Sequence, residues 1–238
     1  ITSILDWTRE RSVGERGTLK DAVGAPYLRV IVLSGAGKHF CAGADINMMR
    51  DAGAKSAEEN REDSERLDRL FNSLWSHPCF TIGKIQGVAL GGGAGFIACL
   101  DHVIVEPGVR IALSEAKLGI LPAVIGPYVY RKVGSAEFRR LAMLAGRIGG
   151  EEALQIGLVN QVSDSLDGAE SSVIDEVLTT GPMAVAEAKK LTLTLDELMD
   201  EELRTWTLDK TSEMRGSEEG QEGLASFLEK RPPNWKEE

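Results

Sequence analysis

Two glycine-rich segments are the part of this sequence whose residue types and spacing best suit chemistry. They are CAGAD at residues 41–45 and GGGAG at residues 91–95, and each follows an apolar run that predicts a buried strand. Glycines leave backbone N–H groups uncovered by side chains, and a helix that begins after the second segment would add the positive end of its dipole. The second segment is therefore predicted to hold a negatively charged oxygen.

A dinucleotide site is an alternative interpretation of GGGAG, because Glu115 lies 20 residues beyond Gly95. The stretch from Gly95 to Asp101 is too short for the crossover helix of such a site, and Glu115 follows a Pro-Gly turn instead of ending a strand. The segment GAGKH at 35–39 also lacks the Ser or Thr that a phosphate-binding loop places after its lysine. Both nucleotide hypotheses are disfavoured.

Histidines and cysteines give no sign of a metal site or of a disulfide framework. None of the three histidines pairs with another at HxH or HxxxH spacing, and the odd set of three cysteines contains no CxxC. We therefore expect no metal. The cysteine pattern favours a reducing compartment, which predicts a cytoplasmic location.

Composition and charge argue against three further classes of protein. A hydrophobic content of 42% is too high for a chain that is mainly disordered. The net charge is -10, from 27 basic and 37 acidic residues, which argues against nucleic acid as the main partner. The longest stretch without a charge, residues 85–100, is shorter than the roughly 20 residues that a bilayer requires, so no membrane span is predicted.

Strands and helices must position the two glycine-rich segments. The apolar run at 29–34 predicts a strand, followed by a glycine-rich loop at 35–46. Ser56 and Glu59 fit a capping box, which predicts a helix of about 20 residues. Further along, the pattern predicts a strand at roughly 80–90 that runs into GGGAG, short strands at 102–105 and 110–114, an apolar loop at 118–129, and mostly helices from Ser135 onward, including 198–206.

Several motifs in a fixed order resemble the enoyl-CoA hydratase/isomerase, or crotonase, superfamily over roughly residues 29–238. They are HFCAGADI (39–46), GVALGGGAG (87–95), SEAKLGILP (114–122), AGRIGGEEALQIGLVNQV (145–162) and EGLASFLEKRPPNW (222–235). The resemblance implies an α/β fold of stacked β-β-α turns that form a spiral. It also implies an acyl-CoA thioester substrate and no separate cofactor, because coenzyme A is part of the substrate.

The resemblance implies that the backbone N–H groups of Ala42 and Gly92 bind the thioester oxygen. Small residues suit this task because the backbone itself must reach the carbonyl. Glu115 would be the catalytic acid and base, and the apolar residues after it would raise its pKa toward the working pH. The substrate-binding residues implied are Ala42, Gly43, Ala44, Asp45, Gly92, Leu118 and Leu121.

Gly95 departs from the family's pattern, in which hydratases carry a first glutamate at this position and a second one at the position of Glu115. The departure, together with SEAKLGILPAVIGPYV (114–129), is similar to the branch that hydrates methylglutaconyl-CoA and isohexenylglutaconyl-CoA. Hydration is the favoured hypothesis, and the similarity to this branch implies branched glutaconyl-type esters as substrates. An enoyl-CoA isomerase and a non-catalytic acyl-CoA-binding protein are the alternatives.

Each chemical hypothesis has a structural alternative. Glu115 could be an exposed carboxylate at a strand end, and the glycines at 91–95 could serve close helix packing. Lys117 and Arg131 could meet a distal carboxylate of a glutaconyl substrate, but solvated surface positions are favoured for both. 

The chain is predicted to divide into a catalytic core at 1–165 and a helical C-terminal region at 166–238. Residues 1–28 form an atypical front edge, because they lack the Asn-Arg-Pro turn that the family usually has there. The family resemblance implies a homotrimer or a homohexamer, with the C-terminal helices used for oligomerisation. Residues 196–238 hold 13 acidic and 6 basic residues, which predicts a solvated acidic face.

Overall fold

Two parallel β-sheets and eleven helices make up the described part of the computed structural model, which covers residues 1–195 and 201–232. The strands are β1 (Val30–Ser34), β2 (Phe80–Ile85), β3 (Val88–Leu90), β4 (His102–Val105), β5 (Arg110–Ala112) and β6 (Gln161–Val162). The helices are α1 (Thr2–Arg9), α2 (Val13–Arg16), α3 (Ile46–Gly53), α4 (Ala57–Trp75), α5 (Gly92–Cys99), α6 (Gly126–Leu144), α7 (Gly150–Gln155), α8 (Leu166–Thr179), α9 (Pro182–Leu195), α10 (Glu201–Gly216) and α11 (Glu218–Glu229). A short 3-10 helix spans Glu115–Leu118.

The two sheets are built by successive turns of a spiral. The larger sheet has the order β1-β2-β4-β6, and the smaller sheet pairs β3 with β5. Isolated bridges extend the smaller sheet at both sides, from Cys41 to Ala89 and from Ile111 to Ile148. The second and third turns each place one strand in each sheet and then a helix, in the sequences β2-β3-α5 and β4-β5-α6. The β-β-α spiral predicted from the motifs is confirmed.

The longest predicted strand, at 80–90, is in fact two strands in different sheets. The chain breaks at Gln86-Gly87, where Gly87 has a φ of 66° and a Cβ would lie 2.2 Å from the Lys38 carbonyl oxygen. The side chain of Gln86 donates to the Gly35 carbonyl at 2.7 Å, and Glu106 accepts from the Gly87 N–H at 2.8 Å. Glycine is required at this corner because the backbone is left-handed and the neighbouring loop is close.

The segment at 118–129 was predicted to be an apolar loop, but α6 already begins at Gly126, with a proline in its first turn. Proline is compatible with a helix start, where its missing N–H would have no intrahelical partner. The predicted strand at 110–114 ends at Ala112, and α8 falls within the region that was predicted to be mostly helical. The remaining predictions that concern the site, the strand at 29–34 and the loop at 35–46, agree with the structure.

Helix α4 confirms the predicted capping box. The Ser56 side chain accepts from the Glu59 N–H at 3.2 Å, and the Glu59 carboxylate accepts from the Ser56 N–H at 2.9 Å. Phe71 and Leu74 are fully buried on the inner face of this helix. Capping fixes the start of α4, and the helix packs against α5.

The C-terminal helices pack onto the core. Helix α10 contacts α4 and α3, and α11 contacts α3 and the 3-10 helix. Arg61 on α4 forms an ion pair with Asp209 on α10 at 2.8 Å, and Gly223 on α11 lies so close to the 3-10 helix that a Cβ would be 2.1 Å from the Leu118 carbonyl oxygen. Part of the helix predicted at 198–206 and the end of the motif at 222–235 lie outside the described residues.

The front edge, residues 1–28, contains the two short helices α1 and α2. Helix α1 packs against α4, and the buried imidazole Nε2 of His77 lies 3.2 Å from the Leu5 carbonyl oxygen. Burial lowers the pKa of His77 to about 4, which keeps the ring neutral in the folded protein. Among the helices of the described residues, none is long and apolar enough to cross a membrane.

Candidate active site

A backbone bridge brings the two glycine-rich loops together. Cys41 pairs with Ala89 in parallel, with hydrogen bonds from the Cys41 N–H to the Val88 carbonyl and from the Leu90 N–H to the Cys41 carbonyl, both at 3.0 Å. The loop that follows Cys41 and the loop that follows Leu90 therefore leave the sheet at the same edge. A Cβ at Gly93 would lie 3.0 Å from the Cys41 Cβ, so a glycine there permits the close approach of the loops.

Two backbone donors are left unpaired at this edge. Neither the Ala42 N–H nor the Gly92 N–H donates to an acceptor among the residues that the structure describes. Gly92 is the first residue of α5, and the first N–H groups of a helix have no intrahelical acceptor and carry its positive partial charge. Both residues line the same cavity, so their N–H groups are available to an oxygen bound there.

Helix α5 is held in place at its other end by Lys132 on α6. The ammonium group donates to the carbonyls of Ile97 and Leu100, at 3.2 Å and 2.5 Å. A cation is favourable at a helix C-terminus, where carbonyls are unpaired. Burial lowers the pKa of Lys132 to about 8. These contacts fix the helix whose N-terminus presents Gly92.

Glu115 lies in the 3-10 helix that follows β5, with its carboxylate directed to the glycine-rich loop. Its Oε1 would be 3.2 Å from a Cβ at Gly91, and its Oε2 is buried without a hydrogen-bond partner among the described residues. Burial raises the pKa of Glu115 to about 7, and its own backbone N–H opposes the effect. The residue as a whole is half-buried, but its carboxylate is not a solvated surface group, which argues against the exposed alternative.

Gly95 has no room for a larger side chain. A Cβ there would lie 2.4 Å from Ile125 Cγ2 and 3.0 Å from Phe71 Cε1. Ile125 is only 3% exposed and Phe71 is fully buried, so neither can move aside easily. The space beside Gly95 is therefore apolar, and a second carboxylate does not fit at this position.

Two adjoining cavities meet at Glu115. The apolar cavity, of about 220 Å³, is lined by residues of α4, of the segment 120–125 and of α10. The basic cavity, of about 280 Å³, is lined by Lys117, Arg147 and Phe227 together with the two glycine-rich loops. Residues common to both are Gly43, Ala44, Met49, Gly92, Glu115 and Ile120. Glu115 is the sole acidic residue among the described residues that line either cavity.

Most of the residues predicted for the site line these cavities. Ala42, Gly43, Ala44, Gly92, Glu115 and Leu118 line the basic cavity, and Leu121 lines the apolar cavity. Asp45 lines neither cavity; its carboxylate caps α3 by accepting from the Asn47 N–H at 2.9 Å and from the Met48 N–H at 3.3 Å. Lys117 is exposed in the basic cavity, and Arg131 lines neither cavity.

Residues of α4 and α10 in the apolar cavity were missed by the sequence reasoning. Phe71 belongs to an apolar stripe that predicts a helix face packed against the core, but the stripe does not reveal that it forms a cavity wall. Arg215 lies 100 residues beyond Glu115 on α10. No local spacing signals such a contact, because it depends on how distant helices pack.

The spiral of parallel strands, with two glycine-rich loops beside a buried carboxylate, defines a crotonase-type α/β protein. An enoyl-CoA hydratase from Mycobacterium avium has the same fold, with a TM-score of 0.80 and 27% identity over 99% of this chain and 88% of that chain. One from Shewanella pealeana has a TM-score of 0.73 and 35% identity over 98% of this chain and 83% of that chain.

The sequence comparisons identify the family. The family described as enoyl-CoA hydratase/isomerase matches residues 17–238, and the chain therefore belongs to it. Carnitinyl-CoA dehydratase from Escherichia coli strain K12 is 32% identical over 220 residues, which are 89% of this chain and 82% of that protein. These relatives are hydratases and a dehydratase, so the predicted class of enzyme, a hydro-lyase of the enoyl-CoA hydratase type, is confirmed.

Proposed function

We propose that this protein adds water reversibly across the α,β double bond of an enoyl-CoA thioester. The observation that carries the proposal is the Glu115 carboxylate, whose Oε2 is buried without a partner among the described residues, beside two backbone N–H groups that donate to no described acceptor. In this proposal the Ala42 and Gly92 N–H groups bind the thioester oxygen. Each such donor lowers the barrier by about 2.7–4 kcal/mol as negative charge moves onto that oxygen.

Glu115 would act as both base and acid. As a carboxylate it takes a proton from water, while the water oxygen bonds to the β-carbon and the double-bond electrons move to the thioester oxygen as an enolate. The protonated Glu115 then gives its proton to the α-carbon, and the carbonyl forms again. A pKa of about 7 suits this cycle, because the same group must accept and donate a proton near neutral pH.

The two cavities would divide the substrate between them. The basic cavity offers Lys117 and Arg147 to the phosphates of coenzyme A, even though the whole chain has a net charge of -10. The apolar cavity would take the acyl chain, with walls from Phe71 and Ile125. No cofactor is required in this mechanism, since coenzyme A arrives as part of the substrate.

The acyl group that we propose is a branched or glutaconyl-type one. The presence of Arg215 in the apolar cavity supports an anionic acyl chain and disfavours a cationic group such as a carnitinyl group. Among the described residues of that cavity, Glu115 is the one anion that such a cation would meet. Its charge is needed for the proton transfers.

A double-bond isomerase is the second candidate, and the packing around Gly95 favours it. Since the position has no room for a second carboxylate, the site has a single acid and base, which is sufficient to move a proton between two carbons of a 3-enoyl-CoA. Both candidates share the enolate and the two backbone donors. They differ in whether water is held beside Glu115.

The test is to incubate the protein with crotonyl-CoA and with 3-methylglutaconyl-CoA and to follow the ultraviolet absorbance of the conjugated thioester. We expect absorbance to fall, and Glu115→Gln to lower the rate by at least about 10²-fold, because general acid–base catalysis contributes 10²–10⁴-fold. Glu62→Gln, at an exposed site on α4, is the matched control.

Three outcomes separate the candidates. Conversion of a 3-enoyl-CoA without hydration of either conjugated substrate would establish the isomerase. Binding of acyl-CoA without turnover would make the protein a binding module, and an undiminished rate of Glu115→Gln would remove this residue from the mechanism.

We also propose a cytoplasmic homotrimer or homohexamer, on the basis of the family resemblance. Met143 and Leu144 at the end of α6 are each 68% exposed in the single chain, which is consistent with an apolar surface that a further subunit covers. Light scattering after size-exclusion chromatography should give a mass three or six times that of the chain.

A further inference from the structure

Arg215 is a cationic side chain in a cavity whose other lining residues are mainly apolar. It lies near the end of α10, and it lines the apolar cavity together with residues of α4 and of the segment 120–125. Leu70 and Phe71 on α4 and Val124 after the 3-10 helix are among its apolar neighbours in that lining. Glu115 lines the same cavity.

The guanidinium group of Arg215 has no partner in the part of the chain that the structure describes. Its Nε is buried and unpaired, and no hydrogen bond or ion pair of the guanidinium is formed with a described residue. The contact that does involve this residue is made by its backbone carbonyl, which accepts from the Gln221 side chain at 2.8 Å. Arg215 as a whole is half-buried, and a cation beside apolar walls without a carboxylate partner among the described residues is well placed to meet an anionic group of a ligand.

Asp63 is the acidic residue that acts on Arg215, but it does not neutralise the guanidinium group. Asp63 on α4 is close enough to affect the electrostatics of Arg215, but the Asp63 carboxylate is paired with Lys55 at 2.9 Å and also contacts Arg66. Burial lowers the pKa of Arg215, and Asp63 opposes this effect only in part. The cation therefore remains available to a ligand in the apolar cavity.

We propose that Arg215 determines specificity by binding a carboxylate carried on the acyl chain of the substrate. The guanidinium offers a planar fork of N–H donors that matches the two oxygens of a carboxylate, and a water-poor cavity strengthens such a charge-assisted pair. The substrate class is thus an unsaturated dicarboxylic acid in which one carboxyl group forms the thioester with coenzyme A and the other is free. The inference rests on the proposed function, because it assumes that the acyl chain occupies the apolar cavity.

The test measures binding without turnover. Glutaryl-CoA and valeryl-CoA have acyl chains of equal length, and one ends in a carboxylate where the other ends in a methyl group. Both are saturated and cannot be hydrated, so calorimetric titration reports on binding alone. We expect the wild-type protein to bind glutaryl-CoA roughly 10- to 150-fold more tightly than valeryl-CoA, as a charge-assisted hydrogen bond predicts.

Variants identify the residue responsible. Arg215→Met should abolish the preference for glutaryl-CoA and leave the affinity for valeryl-CoA within a few-fold, while Arg215→Lys should keep part of the preference because it keeps the charge. Arg139→Met, the same change at an exposed site on α6, is the matched control and should leave both affinities unchanged. If Arg215→Met does not fold, as judged by circular dichroism, the affinities of Arg215→Lys and of the wild-type protein for glutaryl-CoA and valeryl-CoA still test the role of Arg215.

Equal affinities of the wild-type protein for the two ligands would overturn the inference, and so would an equal loss of both affinities in Arg215→Met. Failure of the proposed function looks different: hydration of enoyl-CoA substrates would be absent while the Arg215-dependent preference for glutaryl-CoA persisted. Hydration of crotonyl-CoA with no preference for glutaryl-CoA would retain the proposed hydration reaction and reject the role of Arg215.

Discussion

Glu115→Gln should make the protein more stable above neutral pH, at the same time as it slows catalysis. Burial of the Glu115 carboxylate raises its pKa from an ordinary value of 4.5 to about 7. At about 1.4 kcal/mol for each pH unit, this difference corresponds to about 3 kcal/mol of folding free energy. A glutamine carries no charge, so it avoids the cost of holding an anion in an apolar site.

The direction in which the free energy of unfolding changes with pH depends on whether the folded or the unfolded protein keeps the Glu115 proton. Below pH 4.5 the carboxyl is protonated in both the folded and the unfolded protein, and its burial costs little. As pH rises from 4.5 to about 7, the unfolded protein loses the proton first, so the wild-type protein loses stability that is fully gone above the folded pKa. The free energy of unfolding of Glu115→Gln minus that of the wild type should therefore rise by about 3 kcal/mol over this window.

Urea unfolding at about pH 5, 6, 7 and 8 measures this difference, since other titrating groups are common to both proteins and cancel. Glu62→Gln, on the exposed face of α4, should show no comparable dependence on pH. A difference between Glu115→Gln and the wild type that stays constant with pH would refute the reasoning, because it would mean that the carboxylate is solvated in the folded protein.

Two further predictions concern the same site. Gly95→Ala should destabilise the protein by about 1–3 kcal/mol, because its Cβ would meet Ile125 Cγ2 at 2.4 Å in a packed region; thermal unfolding measures the loss, and an unchanged midpoint would show that the space is open. The kcat/KM for hydration should rise with pH through about 7, because Glu115 must be ionised to take a proton from water; a flat profile between about pH 5 and 8 would exclude it as the base.

Local features of the sequence were sufficient to predict the strand and the helix beside the site. The apolar run before Ser34 predicts β1, and Ser56 with Glu59 predicts the start of α4, because strand burial and helix capping depend on residues that are near each other in the chain. The break at Gly87 was missed for the opposite reason. Its glycine is required by a loop from the preceding turn of the spiral, which no pattern within 80–90 reveals.

The sequence by itself determined which groups are available: two glycine-rich loops that expose backbone N–H groups, one glutamate after β5, and a glycine at position 95. Only the tertiary structure decided what surrounds them. The buried environment of the Glu115 carboxylate, the packing of Ile125 and Phe71 against Gly95, and the position of Arg215 in the apolar cavity all depend on contacts between distant segments. Burial and packing are properties of neighbours in space, and those properties set the pKa of a carboxylate and the charge that a cavity can accept.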